Sequence, residues 1–163
     1  MKNLVIRKLL QKDYKAVREV DIQTQRQYLG NKFDLMNKKG QEKHLVSRKN
    51  EFAINLESGY CFVASLNDKI IGFILAHETQ PFLGNIYIRY IGINPQYQGH
   101  GIGMFLYKEL IKKARKNKIE KITALINLDN PYSMKLHKKA GFNLKDRKEA
   151  VLQLMSPQNV RME

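Results

Sequence analysis

The chain has 163 residues, 43% of them hydrophobic and 27% charged, the balance of one soluble globular domain rather than of a disordered or collagen-like chain. No apolar run approaches the length of a membrane span, no long apolar stretch after Met1 marks a secretory signal, and the single cysteine, Cys61, leaves no internal disulfide or cysteine-rich zinc site and fits a reducing cytoplasm. Twenty-nine Lys and Arg against fifteen Asp and Glu give a net charge of +14, a field that draws polyanions such as nucleic acid, an anionic membrane or a phosphate-rich cofactor.

Residues 4–8 read as a short strand. Residues 11–29 are helix-like, with Tyr14, Val17, Val20 and Ile22 at loosely helical spacing, and a second helical stretch over 40–56 carries Leu45, Val46, Phe52, Ile54 and Leu56. Residues 60–66 and 69–76 are rich in β-branched and aromatic residues. Asn67 and Asp68 between them predict a hairpin turn. The chain breaks at 81–85, and 86–93 alternates as a strand. A glycine cluster follows, then a helix over 102–116 whose apolar face is Ile102, Leu106, Leu110 and Ala114. Residues 121–126 form another strand. Asn130-Pro131 predicts an N-cap and a first-turn proline, and the helix it opens ends at Gly141. Short strands near 143–146 and 150–155 complete the order β-α-α-β-β-β-α-β-α-β-β. This is one mixed α/β domain over 1–163, with a parallel crossover between the strands at 86–93 and 121–126.

The most informative segment is IYIRYIGINPQYQGHGIG, residues 86–103, where a strand runs into a glycine turn that opens a helix. The first N–H groups of a helix lack intrahelical partners and carry the positive end of its dipole, so they suit an anion. Glycines at 99, 101 and 103 allow a phosphate to approach the backbone closely. The run is neither a P-loop, which needs G-x-x-x-x-G-K-[ST], nor a dinucleotide fingerprint, because the sixth position counted from Gly99 is Met104. It matches Q/R-x-x-G-x-G/A as Gln98, Gly99, His100, Gly101, Ile102 and Gly103, and in this it resembles the acetyl-CoA motif of the GCN5-related N-acetyltransferase (GNAT) family. The later segment from Asn130 to Leu136, His137, Lys138, Lys139, Ala140, Gly141 and Phe142 resembles that family's closing helix with its L-Y-x-K-x-G-F ending.

The resemblance implies a GNAT-like sheet with a splayed parallel strand pair, acetyl-CoA as co-substrate, no metal, and direct transfer of the acetyl group to a primary amine in a ternary complex. It assigns main-chain bonds to the pantetheine arm to Ile91, Gly92 and Ile93, and the acetyl carbonyl to one N–H there, that of Ile91. The turn from Gln98 to Gly103 would wrap the pyrophosphate, with His100 as a neighbour of the ligand, and Asn130 would contact the cofactor arm. His137 stands where the family often has a proton-donating Tyr, and an imidazole can do that work. Tyr87 stands where the family often has a basic Glu, and no carboxylate occurs in residues 86–93. Glu78, at the end of the preceding strand, is the candidate stand-in through water.

Two other readings compete with the enzyme. Residues 108–121 hold seven basic and two acidic residues, as a nucleic-acid-binding module would, but without aromatic–basic interleaving, a helix-turn-helix pattern or zinc-finger spacing; nucleic acid therefore ranks low as a partner. The missing Glu and Tyr suggest instead an acyl-CoA sensor without catalysis. The resemblance implies an acceptor pocket, for a protein or small-molecule amine, on 14–28, 33–36 and 79–83, which mix aromatic and polar residues. A weakly basic amine such as a protein N-terminus suits a site without the usual carboxylate.

Overall fold

The structure is a computed structural model that describes residues 3–79, 84–146, 148, 150 and 152. Strand β1 (Leu4–Lys8) leads through one 3-10 turn (Gln11–Asp13) into helices α1 (Tyr14–Leu29), α2 (Asn31–Leu35), α3 (Lys38–His44) and α4 (Lys49–Ser58). Strands β2 (Phe62–Leu66), β3 (Lys69–Glu78) and β4 (Asn85–Ile93) follow, then α5 (Ile102–Lys116), β5 (Lys121–Ala124) and α6 (Pro131–Lys139). The sheet order is β1-β2-β3-β4-β5, antiparallel up to β4, with β5 parallel to β4. Asn67 and Asp68 both take positive φ, 46° and 63°, as a tight hairpin turn requires.

Each face of the sheet packs its own core. On one side Ile74, Ala76, Ile86 and Ile88 meet Ile102, Leu106, Tyr107, Leu110 and Ala114 of α5. On the other Val63, Phe73 and Leu75 meet Val17 and Val20 of α1 and Phe52 of α4.

The helical region between β1 and β2 differs from the expectation. Four helices stand there instead of two, and the stretch expected as one helix over 40–56 breaks at residues 45–48. Asp21 of α1 is the cause. Its Oδ2 accepts hydrogen bonds from Val46 N (3.0 Å), Ser47 N (3.1 Å) and Ser47 Oγ (3.0 Å). Those bonds, with burial of Leu45 and Val46, hold the chain extended against continuation of the helix. Residues 143–146 carry no strand, and most of the strand expected at 150–155 lies outside the described residues.

Two irregularities shape the far side of the sheet. Leu75 pairs with Tyr90 but Ala76 with Ile88, so Arg89 is an extra residue in β4, a bulge that bends the strand. And β5 pairs with β4 only from Asn85 to Ile88. Beyond the bulge, β4 runs away from its parallel neighbour.

Candidate active site

The gap between the two diverging strands exposes main chain. Asn94 N donates to Ile71 O at 2.8 Å. Alternation along the antiparallel ladder then turns the N–H and C=O of Ile93 and Ile91 away from β3 and into the gap. The same alternation turns the peptide groups of Gly92 toward Phe73, which corrects the expectation that all three residues offer main-chain bonds. Gly92 serves packing: a Cβ on it would lie 2.8 Å from Phe73 Cε1. Ile93 O already accepts a hydrogen bond from Gln98 Nε2 at 3.0 Å.

The glycine turn closes one end of the gap. Asn94 Oδ1 accepts from Gln96 N (3.0 Å) and starts a short 3-10 turn, Pro95–Tyr97. Gly99 and Gly101 then take φ of +80° and +78°, with no heavy atom within 4 Å of where a Cβ would stand. Among the described residues, the N–H groups of residues 99–103 donate to no protein acceptor. Five consecutive free donors at the start of a 15-residue helix make an anion cradle. Gly103 has a different task from the one expected: a Cβ there would lie 3.0 Å from Leu136 Cδ2, so it is glycine to let α6 pack on α5. The His100 ring braces the turn from outside, its Nδ1 2.9 Å from Gln98 O. Asn130 uses its side-chain oxygen to cap α6, accepting from Ser133 N at 3.0 Å, which leaves its amide nitrogen for other contacts.

His137 is buried, 3% exposed. Its Nε2 lies 2.8 Å from Tyr107 Oη and its Nδ1 2.8 Å from Ser133 O. Burial pushes the Tyr107 phenol up, so the phenol keeps its proton and donates to Nε2. Nδ1–H in turn donates to the Ser133 carbonyl. Burial also holds the imidazole below its ordinary range. The ring packs edge-on to Tyr107 and Phe142, with centroids 5.5 and 5.1 Å away. With both nitrogens engaged between α5 and α6, His137 is a structural joint; the expected role as proton donor is not met by this geometry.

The acetyltransferase (GNAT) family profile matches residues 15–142. The chain belongs to this family. As a GNAT acetyltransferase it draws its acetyl group from acetyl-CoA, and the outward main chain of β4 beside five free N–H donors fits such a ligand. Its fold is similar to that of PaiA N-acetyltransferase from Thermoplasma acidophilum, solved with coenzyme A, at 19% identity over 89% of this chain and 92% of that one, with a TM-score of 0.75. It is also similar to the aminoglycoside acetyltransferase AAC(6')-Iy in complex with a bisubstrate analogue (14% identity, 93% and 99% covered, TM-score 0.69). A third is the ribosomal-protein-S18-alanine N-acetyltransferase of Escherichia coli (16% identity, 88% and 79% covered, TM-score 0.61). None of the curated protein sequences matches.

The GNAT gap is bridged by a device that pattern alone did not show. The last turn of α1 touches both arms. The side chains of Gln27 and Gln98 exchange hydrogen bonds of 2.8 and 3.1 Å. Tyr28 Oη donates to Asp129 Oδ1 at 2.9 Å and accepts from Asn127 Nδ2 at 3.0 Å. One residue grips the arm after β4, the next grips the arm after β5. The only hint in the sequence was the polar, aromatic end of the first helix.

Glu78 is engaged at the turn before β4. Its Oε1 accepts from Gly84 N at 2.8 Å, tying the turn between β3 and β4. It pairs with Ile86, at the far end of β4 from Ile91 and on the α5 face. Tyr87 stands on the opposite face, edge-on to His77 with centroids 5.7 Å apart. Cys61 is buried, its thiol pushed up to about 11 by desolvation, and it is inert packing. Among the described residues no group of three metal-ligating side chains occurs, and no helix is long and apolar enough to cross a membrane.

Proposed function

We propose that this chain transfers the acetyl group directly to a primary amine held beside the co-substrate, and that the preferred acceptor is an amine of low pKa such as a protein N-terminus. Bound acetyl-CoA supplies an activated carbonyl and a thiolate leaving group. The chain's part is to bind, orient and polarise. The N–H groups of 99–103 take the pyrophosphate charge, and the main chain of Ile91 and Ile93 aligns the arm, with Gln98 first yielding its bond to Ile93 O. Ile91 N–H then polarises the carbonyl. The amine nitrogen forms its bond to the carbonyl carbon as the carbon–sulfur bond breaks. The amine loses a proton to water and the thiolate gains one, leaving an amide and free CoA.

The observation that supports the acceptor class is the carboxylate deficit. Residues 86–93 contain no acid, and Glu78 is spent on Gly84. An α-amine with a pKa near 8 is about one-tenth neutral at pH 7, whereas a lysine near 10.4 is roughly 0.04% neutral, a gap of about 3 kcal/mol. Structural neighbours are named for aminoglycosides and for a ribosomal-protein alanine, so fold does not select between them. The test is kcat/KM at pH 7 for two matched peptides, one with a free N-terminus and blocked lysine, the other the reverse. The α-amine peptide should be favoured. A preference for lysine or a polyamine would overturn the acceptor class, and CoA binding with no thiol release from any amine would favour the sensor.

A further inference from the structure

Between the start of α4 and the bulge of β4 lies a polar cluster that acetyl transfer, as described above, does not use. Arg48 hydrogen-bonds to Glu51, one turn along. Arg89 reaches the same carboxylate at 3.7 Å. His77, opposite Tyr87 in the ladder, lies close enough to Arg89 that the guanidinium, added to burial, holds the imidazole below its ordinary range. Two guanidiniums therefore share one carboxylate. Both arginines remain open to solvent, 42% and 43% exposed.

The cluster is also short of partners. Arg48 Nε, Glu51 Oε2 and His77 Nδ1 are buried and hydrogen-bond to nothing in the described chain. Lone buried polar atoms are costly, so unpartnered atoms on three residues of this region need a reason other than packing. Position supplies one. Glu51 belongs to α4, which packs on the same face of the sheet as α1, the helix on which the acceptor is sought. Arg89 precedes Ile91 by two residues, at most about 7 Å along a strand and less through the bulge. That is close to the reach from the α-amine of an extended peptide to the side chain of its second residue, whose Cα lies about 3.8 Å from the first.

We propose that Arg89, held by Glu51 with Arg48 and flanked by His77, reads a negative charge beside the acceptor amine, so that the preferred acceptor is a peptide N-terminus with an acidic second residue. This rests on the α-amine reading above. The uncompensated guanidinium charge takes the carboxylate.

The experiment compares peptides identical except for the second residue: Glu, Gln or Lys. At low ionic strength kcat/KM should favour Glu over Gln by roughly five- to tenfold, with Lys the poorest, and added salt should shrink the ratio. Arg89→Gln should bring the Glu/Gln ratio close to one, and Arg89→Glu should move the preference toward Lys. Folding is checked by thermal melting, and Arg48→Gln, which should also lower the ratio, serves if an Arg89 variant does not fold. His77 followed by NMR in the wild-type protein should titrate at higher pH with the Glu peptide bound than with the Gln peptide. Equal turnover of all three peptides, or a ratio that survives Arg89→Gln, overturns the charge reading and leaves α-amine acetylation standing. Acetylation of none of them overturns both.

Discussion

Two positions carry the sharpest single-residue consequences. Gly101 sits at φ +78° with nothing near its Cβ position, so a side chain there projects into the anion cradle rather than the core. Gly101→Val should fold with a strain cost of about 1–2 kcal/mol and lose acetyl-CoA binding, as calorimetry on the folded variant will show; unchanged affinity would remove the cradle from the site. His137 works the other way. Removing its ring strands the buried Tyr107 hydroxyl and opens a cavity between α5 and α6. His137→Ala should cost about 2–4 kcal/mol in urea unfolding, while kcat of the folded fraction changes little. A stable variant with a collapsed kcat would restore the ring to the chemistry.

At the scale of elements, the junction between α3 and α4 depends on a residue in another helix. Asp21→Ala leaves Val46 N, Ser47 N and Ser47 Oγ without their acceptor and should cost about 2–4 kcal/mol. Hydrogen exchange should show the amides of 46 and 47 losing protection first, and uniform loss across α1 and α4 would argue against a local clamp. The same junction shows what a sequence hides. Helix α5 is legible to the residue because its apolar stripe is continuous and glycines precede it. The break at 45–48 is not, because its cause lies some 25 positions away. The glycine turn was readable as a local pattern. That Gly92 and Gly103 serve Phe73 and Leu136 instead of the ligand was not, since only the folded chain brings those partners together. His137 stood in a family position, but its partner Tyr107 lies 30 residues earlier. The two acids fared alike: Asp21 and Glu78 are each spent on backbone donors that no spacing rule points to.

For the molecule as a whole, the histidines set a pH limit. His77 and His137 are both held below the ordinary imidazole range, chiefly by burial. Their folded pKa values thus lie below the unfolded value near 6.5. Above that pH both states are neutral there. As pH falls below about 6.5 the unfolded chain takes up protons that the folded chain refuses, so stability drops with pH in that window. Melting temperatures between pH 7.5 and 5 should fall more steeply for the wild-type protein than for His137→Ala, and parallel slopes would refute the linkage for this ring.

The bend in β4 has a colloidal consequence. A strand that leaves its neighbour halfway along is a raw sheet edge inside a folded protein, and such edges recruit other strands. In the proposed binding mode the co-substrate arm fills the role of the missing strand, so ligand would also act as a guard against self-association. The strong positive charge keeps copies apart at low salt, and screening removes that defence. Light scattering at high salt should therefore show the ligand-free protein clustering sooner than the protein saturated with CoA. Identical curves would mean that the edge is already protected by the α1 side chains that span it.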